Sequence, residues 1–220
     1  MKKYPRTYHY SFSQEIHSDD KVFDSSKLNV FLDNEIIITE KMDGGNTCLK
    51  PNVGVFARTH SLPTNHESFN YIKNIHYYSK LNILNKDYWY FGENMFAIHS
   101  IEYSKLNDYF YIFNILDKKN HKWLSWEDIK KECIRCNFKL VPLKFKGKVK
   151  SIKEIQQFCE KNIILPSSFG NNCEGFVVRN ANSFNELTFS DNIAKFVRKN
   201  HVQSDEHWSL NWKPQTKLKI

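Results

Sequence analysis

Hydrophobic and β-branched residues fall along the chain in short runs bounded by polar residues, and long amphipathic repeats are rare. Runs of this kind are typical of β-strands, since a strand crosses a sheet in about four to eight residues. Seven runs are predicted to be strands: residues 36–39, 47–50, 54–58, 88–92, 109–116, 175–179 and 193–198.

Helical signals are fewer. Ser125 and Ser151 are each followed three residues later by an acidic residue, which is typical of a helix N-terminus. Apolar residues recur at helical spacing over residues 152–159 and, more weakly, over 69–75. Strands and long helices do not alternate regularly, so a doubly wound parallel sheet is disfavoured. The pattern predicts an α+β fold with mixed or antiparallel sheets and flanking helices.

The 220 residues are enough for a self-sufficient core. No linker or repeat is visible, so residues 1–220 are predicted to form one domain with a loose basic tail at about 213–220. No apolar run approaches the ~18 residues of a transmembrane helix, and no apolar segment follows the basic start, so no membrane partner or signal peptide is expected. Five cysteines, an odd number, suit a reducing compartment, and a cytoplasmic monomer is expected.

The net charge of +8 favours a polyanionic partner such as nucleic acid, or an anionic membrane surface, without choosing between them. Lysines at 144, 146, 148, 150 and 153 form a basic run that suits either a solvated face or a phosphate track. The chain lacks the P-loop, His-Glu-x-x-His and Gly-x-Ser-x-Gly motifs, which excludes those classes of enzyme.

The segment 40–46, Glu-Lys-Met-Asp-Gly-Gly-Asn, carries the most informative chemistry. Its two glycines allow a tight turn and close approach to a ligand, so Lys41 could lie beside a bound phosphate. A lysine is a nucleophile only when its amine is deprotonated, which requires desolvation or neighbouring positive charge. The segment alone favours a surface hairpin in which Lys41 is solvated.

Three later residues make a functional role of Lys41 more plausible, because of the order in which they follow it. Glu93 ends an aromatic strand, Glu174 precedes an apolar strand, and Lys195 lies inside another. Each alone is compatible with a solvated side chain. Together with Lys41 and Arg58 they follow one another as the motifs of a known family do.

This series resembles the ATP-dependent RNA ligases, which share a superfamily with DNA ligases and messenger-RNA capping enzymes. The resemblance runs from about residue 4 to residue 208, and its ordered motifs are far more specific than a lone Lys-x-Asp-Gly. It implies a nucleotidyltransferase domain in which two mainly antiparallel sheets, flanked by helices, enclose an ATP cleft. The matching positions are Lys41, Asp43, Gly44, Arg58, Glu93, Phe113, Glu174 and Lys195.

The resemblance implies that Lys41 attacks the α-phosphate of ATP and becomes adenylylated, that Lys195 contacts that phosphate, and that Glu174 organises a metal. Other members would bind the nucleotide: Glu40 and Phe113 at the adenine, Glu93 at the ribose, Asp43 and Gly44 in the turn, and Asn46 and Arg58 near phosphate. Contacts to nucleic acid are expected from Arg6, Arg58, Arg198, Lys199 and His201.

Glu93 and Glu174 would hold Mg²⁺ or Mn²⁺ through water, because hard ions prefer oxygen ligands and keep part of their hydration. The expected partner is RNA with 5′-phosphate and 3′-hydroxyl ends, joined through an adenylylated RNA end.

The chain departs from the family at Val197, where many relatives have a second lysine, although Arg198 and Lys199 follow. Too few residues follow Lys195 for an OB-fold domain, so none is expected, and this favours RNA ligases over DNA ligases. Two alternatives stay open: a ligase sealing nicks in DNA or mixed duplexes, and an inert protein that binds RNA ends or nucleotides. The pair Cys133 and Cys136 suits a zinc site or, more simply, the buried face of a helix.

Overall fold

The computed structural model describes residues 3–58, 61–79, 83–199 and 212–215. Within these residues the chain forms two sheets and several helices. The helices are α1 (Asn29–Leu32), α2 (Asn70–Asn74), α3 (Trp126–Cys136), α4 (Ile152–Asn162) and α5 (Phe189–Asn192). Short 3-10 turns occur at Ser25–Lys27, Glu67–Phe69 and Glu186–Thr188, and a π-helical turn at Ile75–Ser79.

The first sheet has five strands in the described part of the chain, and all its pairings are antiparallel except that of its first two strands. Their order is β1 (Tyr8–His9), β12 (Ile193–Val197), β10 (Gly175–Asn180), β2 (Ile36–Lys41) and β9 (Leu143–Gly147).

The second sheet has seven strands among the described residues and is also mainly antiparallel. Six strands run in the order β11 (Phe184–Asn185), β7 (Lys122–Trp123), β6 (Phe110–Asp117), β5 (Tyr88–Asn94), β3 (Gly45–Lys50) and β4 (Gly54–Ala57). The seventh, β8 (Lys139–Leu140), pairs with β6 in parallel.

All seven predicted strands form. The prediction missed β1, β7, β8 and β11 because each has only two residues, too few to show a period. It also missed β9, where Lys144 and Lys146 alternate with Leu143 and Phe145 and the lysines dominated the interpretation. Both lysines are ion-paired: Lys144 Nζ lies 3.0 Å from Glu40 Oε2, and Lys146 Nζ lies 2.7 Å from Glu127.

The two predicted long helices form, with different N-terminal hydrogen bonds. At α3, Ser125 Oγ accepts a hydrogen bond from the amide of Asp128 at 3.2 Å. At α4 the serine makes no such bond, and Glu154 Oε2 instead accepts from the amide of Lys150 at 3.1 Å.

The cysteine pair of α3 packs in the core. Cys133 and Cys136 are buried, at the helical spacing that puts both on one face. No group of three or more His, Cys, Asp or Glu side chains in the described ranges is arranged to hold a metal ion. The packing interpretation is therefore the one that the structure supports.

Three hydrophobic clusters among the described residues hold the two sheets together. One packs the second sheet against α3, and a second packs the first sheet against α4. The third joins the sheets at one end, where Phe91 and Trp123 of the second sheet meet Ile193 of the first. Burial of this apolar area favours one arrangement of the layers, with a cleft left between them.

The described end of the chain is docked, which corrects the expectation of a loose tail for residues 213–215. Ile98 donates its amide to the carbonyl of Lys213 at 2.8 Å. Gln215 is 3% exposed, and its side chain bonds the backbone of Ile101 and Tyr103 at 3.1 and 2.9 Å. Residues 216–220 lie outside the described residues. None of the helices described has the length and apolarity needed to cross a membrane.

Candidate active site

A cleft of about 490 Å³ lies between the two sheets. Strands β2, β10 and β12 form one wall, and β3, β5 and β6 form the other. Nine residues singled out in the sequence line it: Arg6, Glu40, Lys41, Gly44, Asn46, Arg58, Glu93, Phe113 and Lys195. Strand pairing thus brings together residues up to 189 positions apart, from Arg6 to Lys195.

Lys41 and Glu174 meet because their strands are adjacent. Lys41 ends β2 and lies opposite Gly175, the first residue of β10, so Glu174 is beside it. The Lys41 Nζ atom is 2.6 Å from Glu174 Oε1, and the two side chains are 27% and 5% exposed. Glycine is required at 175, since a Cβ there would overlap the carbonyl oxygen of Phe196 on β12. The lysine is therefore held in a cleft rather than solvated on a hairpin.

Burial by itself would lower the pKa of Lys41. The carboxylates of Glu174, Glu93 and Asp43 outweigh that effect and raise the pKa above its ordinary value. The protein without ligands therefore keeps the Lys41 amine charged.

Glu93 faces Lys41 from the other sheet, where it pairs with Asn46 across β5 and β3. Burial raises the pKa of Glu93 to about 8 against the opposing effect of Lys41, and the nearby Glu174 and Asp43 raise it further. In the protein without ligands, Glu93 is therefore mostly protonated at neutral pH.

Lys195 approaches from β12 and is held by the N-terminal segment. Its Nζ lies 3.8 Å from Asp20 Oδ1, and Asp20 Oδ2 lies 3.3 Å from Nε2 of the buried His9. His9 is opposite Lys195 in the parallel pairing of β1 and β12. Burial, with the charge of Lys41, lowers the pKa of Lys195 to about 8.

The sequence interpretation missed Asp20 and His9. They lie in a polar segment, and neither periodicity nor a motif links either residue to Lys195.

Asp43 fixes the turn behind Lys41. Its Oδ2 accepts hydrogen bonds from the amides of Ser100 and Ile101, both at 2.7 Å. Its own amide donates to the Tyr103 hydroxyl at 3.0 Å. Gly44 follows at a tight approach, where a Cβ would be 2.6 Å from the carbonyl oxygen of Asn94. This geometry is compatible with the predicted role of Asp43 and Gly44 in the turn.

Glu40 is 1% exposed, and its carboxylate is already engaged. It accepts hydrogen bonds from Ser167 Oγ and from the amide of Ser168 at 3.0 Å, and it pairs with Lys144. Glu40 also lines the cleft, and its contact with the adenine stays a prediction.

Arg179 lies at the base of the cleft, and the sequence interpretation missed it. Its Nη1 donates to Asn114 Oδ1 at 2.9 Å and its Nη2 to the carbonyl of Leu124 at 2.6 Å. Burial lowers its pKa to about 10. Nearby, the Phe113 ring meets Tyr4 edge to face at 5.1 Å. A charged residue ending an apolar strand was the signal that could have identified Arg179.

The expected nucleic-acid contacts are spread more widely. Arg6 and Arg58 line the cleft. Arg198 and Lys199 follow β12, where their amides donate to the Glu174 carbonyl and to Gln14 Oε1 at 3.0 and 3.2 Å. His201 lies outside the described residues.

At the departing position, Val197 is buried, and its amide donates to Ser13 Oγ at 2.8 Å. The N-terminal segment therefore covers the strand at this point.

The carboxylates near Lys41 are the donor type that Mg²⁺ and Mn²⁺ prefer. Two observations show how well these carboxylates fit such an ion. The pKa of Glu93 is raised beside Glu174 and Asp43, and the described residues contain no cluster of three or more potential metal ligands. Glu93 and Glu174 thus suit an ion held partly through water rather than a complete protein cage.

A family model of RNA ligases matches residues 34–197. The chain belongs to the RNA ligase family. This match covers the strands that carry Lys41, Glu93, Glu174 and Lys195, and it confirms the resemblance. No curated protein sequence matches the chain significantly.

Solved structures with the same fold include Naegleria gruberi RNA ligase. A mutant with ATP and Mn is 17% identical, has a TM-score of 0.61, and the match covers 88% of this chain and 58% of that one. The same enzyme with PPi is 19% identical and has a TM-score of 0.60, and the match covers 90% of this chain and 59% of that one. A mutant with AMP and Mn is 17% identical and has a TM-score of 0.57, and the match covers 87% of this chain and 58% of that one.

The chain therefore spans about three fifths of the length of the Naegleria chains that it matches. At these identities the likeness establishes the fold. The predicted α+β nucleotidyltransferase architecture is confirmed.

Proposed function

We propose that this chain is an ATP-dependent RNA ligase that works through an adenylylated Lys41. The observation that carries the proposal is the position of the Lys41 amine, 2.6 Å from Glu174 in a cleft that Glu93 and Lys195 also approach. Nucleotidyl transfer depends on positioning and charge neutralisation, and these side chains supply both.

In the first step, Lys41 attacks the α-phosphorus of ATP. The ammonium first gives up a proton, and Glu174 is placed to accept it because its Oε1 already accepts the hydrogen bond. A P–N bond then forms, the bond between the α-phosphorus and the bridging oxygen breaks, and pyrophosphate leaves. The second proton on nitrogen is lost to give the neutral phosphoramide.

Lys195 contacts the α-phosphate in this proposal. Its charge withdraws electron density from phosphorus and, by repulsion, favours the neutral form of Lys41. Asp20 keeps the ammonium of Lys195 at the cleft. Phe113 and Glu93, which lie on the opposite wall, bind the adenine and the ribose.

Glu93 and Glu174 would hold a divalent ion through water, and such an ion neutralises phosphate charge when bound. The structures of Naegleria gruberi RNA ligase with ATP, AMP and Mn support nucleotide and divalent-metal use for this fold.

In the later steps, AMP passes from Lys41 to a 5′-phosphate end, and a 3′-hydroxyl displaces AMP to form the phosphodiester. Arg58 and Arg6 line the cleft as exposed cations and are the side chains we assign to RNA phosphates. Membership of the RNA ligase family supports this assignment of the substrate.

The test is end joining of a 5′-phosphorylated RNA with a 3′-hydroxyl, with a nicked DNA duplex of the same sequence as competitor. We expect ATP-dependent joining of RNA that Lys41→Ala abolishes and Lys148→Ala, at an exposed lysine of the first sheet's edge, does not. Preferential sealing of the DNA nick would contradict the substrate assignment. Nucleotide binding without any joining would favour the inert binding protein.

A further inference from the structure

A second groove, of about 450 Å³, lies beside the cleft. The N-terminal segment separates the two, since Pro5 and Arg6 line both. The floor of the groove is aromatic and includes the buried Phe91, Trp123 and Phe189. The groove therefore adjoins the active-site cleft without being part of it.

Cations form the rim of this groove. Lys3, Arg6 and Lys21 line it and are exposed. Lys21 Nζ lies 5.5 Å from the centroid of the Tyr8 ring, and the Arg6 guanidinium is held by Asp19. A rim with three cations above an aromatic floor suits a ligand that is anionic along one side and flat on the other.

Trp89 gives the groove a fixed aromatic wall. Lys50 Nζ lies 3.7 Å from the centroid of the Trp89 ring and 4.7 Å from that of Phe56. Lys50 is 3% exposed, so this cation is part of the interior and holds Trp89 from behind. Leu187, which is 87% exposed, adds apolar surface at the same groove.

We propose that this groove binds a nucleotide of single-stranded RNA next to the end held in the cleft, with its base against Trp89 and its phosphates on Lys3 and Lys21. Single-stranded nucleic acid is bound in general by a basic track combined with aromatic stacking. Glu186 also lines the groove, and its Oε2 lies 3.2 Å from His121 Nδ1. The inference rests on the proposed function, because it takes RNA as the substrate.

The experiment measures binding of a 5′-phosphorylated single-stranded RNA by fluorescence anisotropy across a series of salt concentrations. The variant is Lys3→Gln with Lys21→Gln. The slope of log affinity against log salt should fall by about 1.4, since each phosphate contact to a single strand contributes about 0.7. A matched control is Lys131→Gln with Lys161→Gln, which removes two exposed lysines that line neither the cleft nor the groove.

Trp89→Leu tests the stacking wall separately. It should weaken RNA binding about fivefold or more at high salt, where stacking dominates. Circular dichroism and thermal unfolding report whether this variant is folded. The test with the lysine variants does not depend on the folding of Trp89→Leu.

The groove is supported if the first pair of substitutions lowers the salt slope and the control pair does not. It is overturned if the slope is unchanged, or if both pairs lower it equally. Self-adenylylation, measured in parallel, should be unchanged in Lys3→Gln with Lys21→Gln. If wild-type protein fails to self-adenylylate, the proposed reaction fails, whereas the RNA-binding series still decides the groove.

Discussion

The Lys41 amine and the Glu174 carboxylate lie 2.6 Å apart at the point where β2 pairs with β10. This pair positions the nucleophile and also keeps it protonated, because the nearby carboxylates raise the pKa of the amine. A charged amine cannot attack phosphorus. The same contact therefore holds Lys41 ready and prevents its reaction until a nucleotide changes the charge around it.

Replacing Glu174 with Gln should lower the pKa of Lys41, since Glu174 is the principal group that raises it. The pH midpoint for acylation of Lys41, followed by peptide mass spectrometry, should move to lower pH. Self-adenylylation should nevertheless fall by roughly 10²–10⁴-fold, because the proton acceptor is lost. Glu160→Gln, at an exposed carboxylate on α4, is the control. An unchanged acylation midpoint in Glu174→Gln would show that the carboxylate does not hold the proton.

The pH dependence of adenylylation should report Lys195. Its pKa of about 8 means that the charged form is present below pH 8 and is lost as the pH rises through that value. The second-order rate constant for ATP should therefore fall above about pH 8, because it follows the protonation of the free enzyme. Lys41 and Arg58 lower this pKa, whereas Asp20 and Glu174 raise it.

Asp20→Asn should therefore shift the alkaline limb of that profile to lower pH. Asp19→Asn removes the neighbouring carboxylate, which pairs with Arg6 instead, and should leave the limb in place. A limb that moves equally in both variants would mean that Asp20 does not position Lys195.

Arg179→Met should destabilise the fold by about 2–4 kcal/mol, because it leaves buried acceptors on Asn114 and Leu124 without their charged donor. Urea unfolding should show a lower midpoint with an unchanged slope. Lys131→Met, at an exposed lysine of α3, should change the free energy of unfolding by no more than about 0.5 kcal/mol. Equal effects of the two substitutions would contradict the structural role of Arg179.

Gln215→Ala should cost about 1–3 kcal/mol, since the Tyr103 amide and the Ile101 carbonyl lose a buried partner. Because the Ile101 amide also holds Asp43, the rate of self-adenylylation should fall as well. Lys213→Ala, at an exposed neighbour, should do neither. A stable but slow Gln215→Ala protein would place the effect in the turn rather than in the fold as a whole.

Most of the sheet framework could be predicted because strands such as β6 and β10 carry continuous apolar runs. Strands β1, β7, β8 and β11 could not, since two residues show no period and pairing with a neighbour is what makes them strands. The basic run at 144–153 was ambiguous for a related reason. Its lysines at 144 and 146 find their carboxylates only when β9 joins the sheet.

The cleft could be anticipated where a motif marks it, as at Lys41, Glu93 and Glu174. Asp20 and His9 reach Lys195 through the parallel pairing of β1 with β12, and a single sequence carries no signal for that contact. The hydrogen bond between Glu40 and the loop at 167–168 could not be predicted either, because it joins residues more than a hundred positions apart.

The proposed reaction depends on the covalent adenylylation of Lys41. The direct measurement is incubation with α-³²P-ATP and Mg²⁺ or Mn²⁺, followed by a denaturing gel, with Lys41→Ala and Lys148→Ala beside the wild type. We expect a labelled band of 26.2 kDa in the wild type and in Lys148→Ala, and none in Lys41→Ala. A folded wild-type protein that stays unlabelled, or a label that persists in Lys41→Ala, would contradict the account.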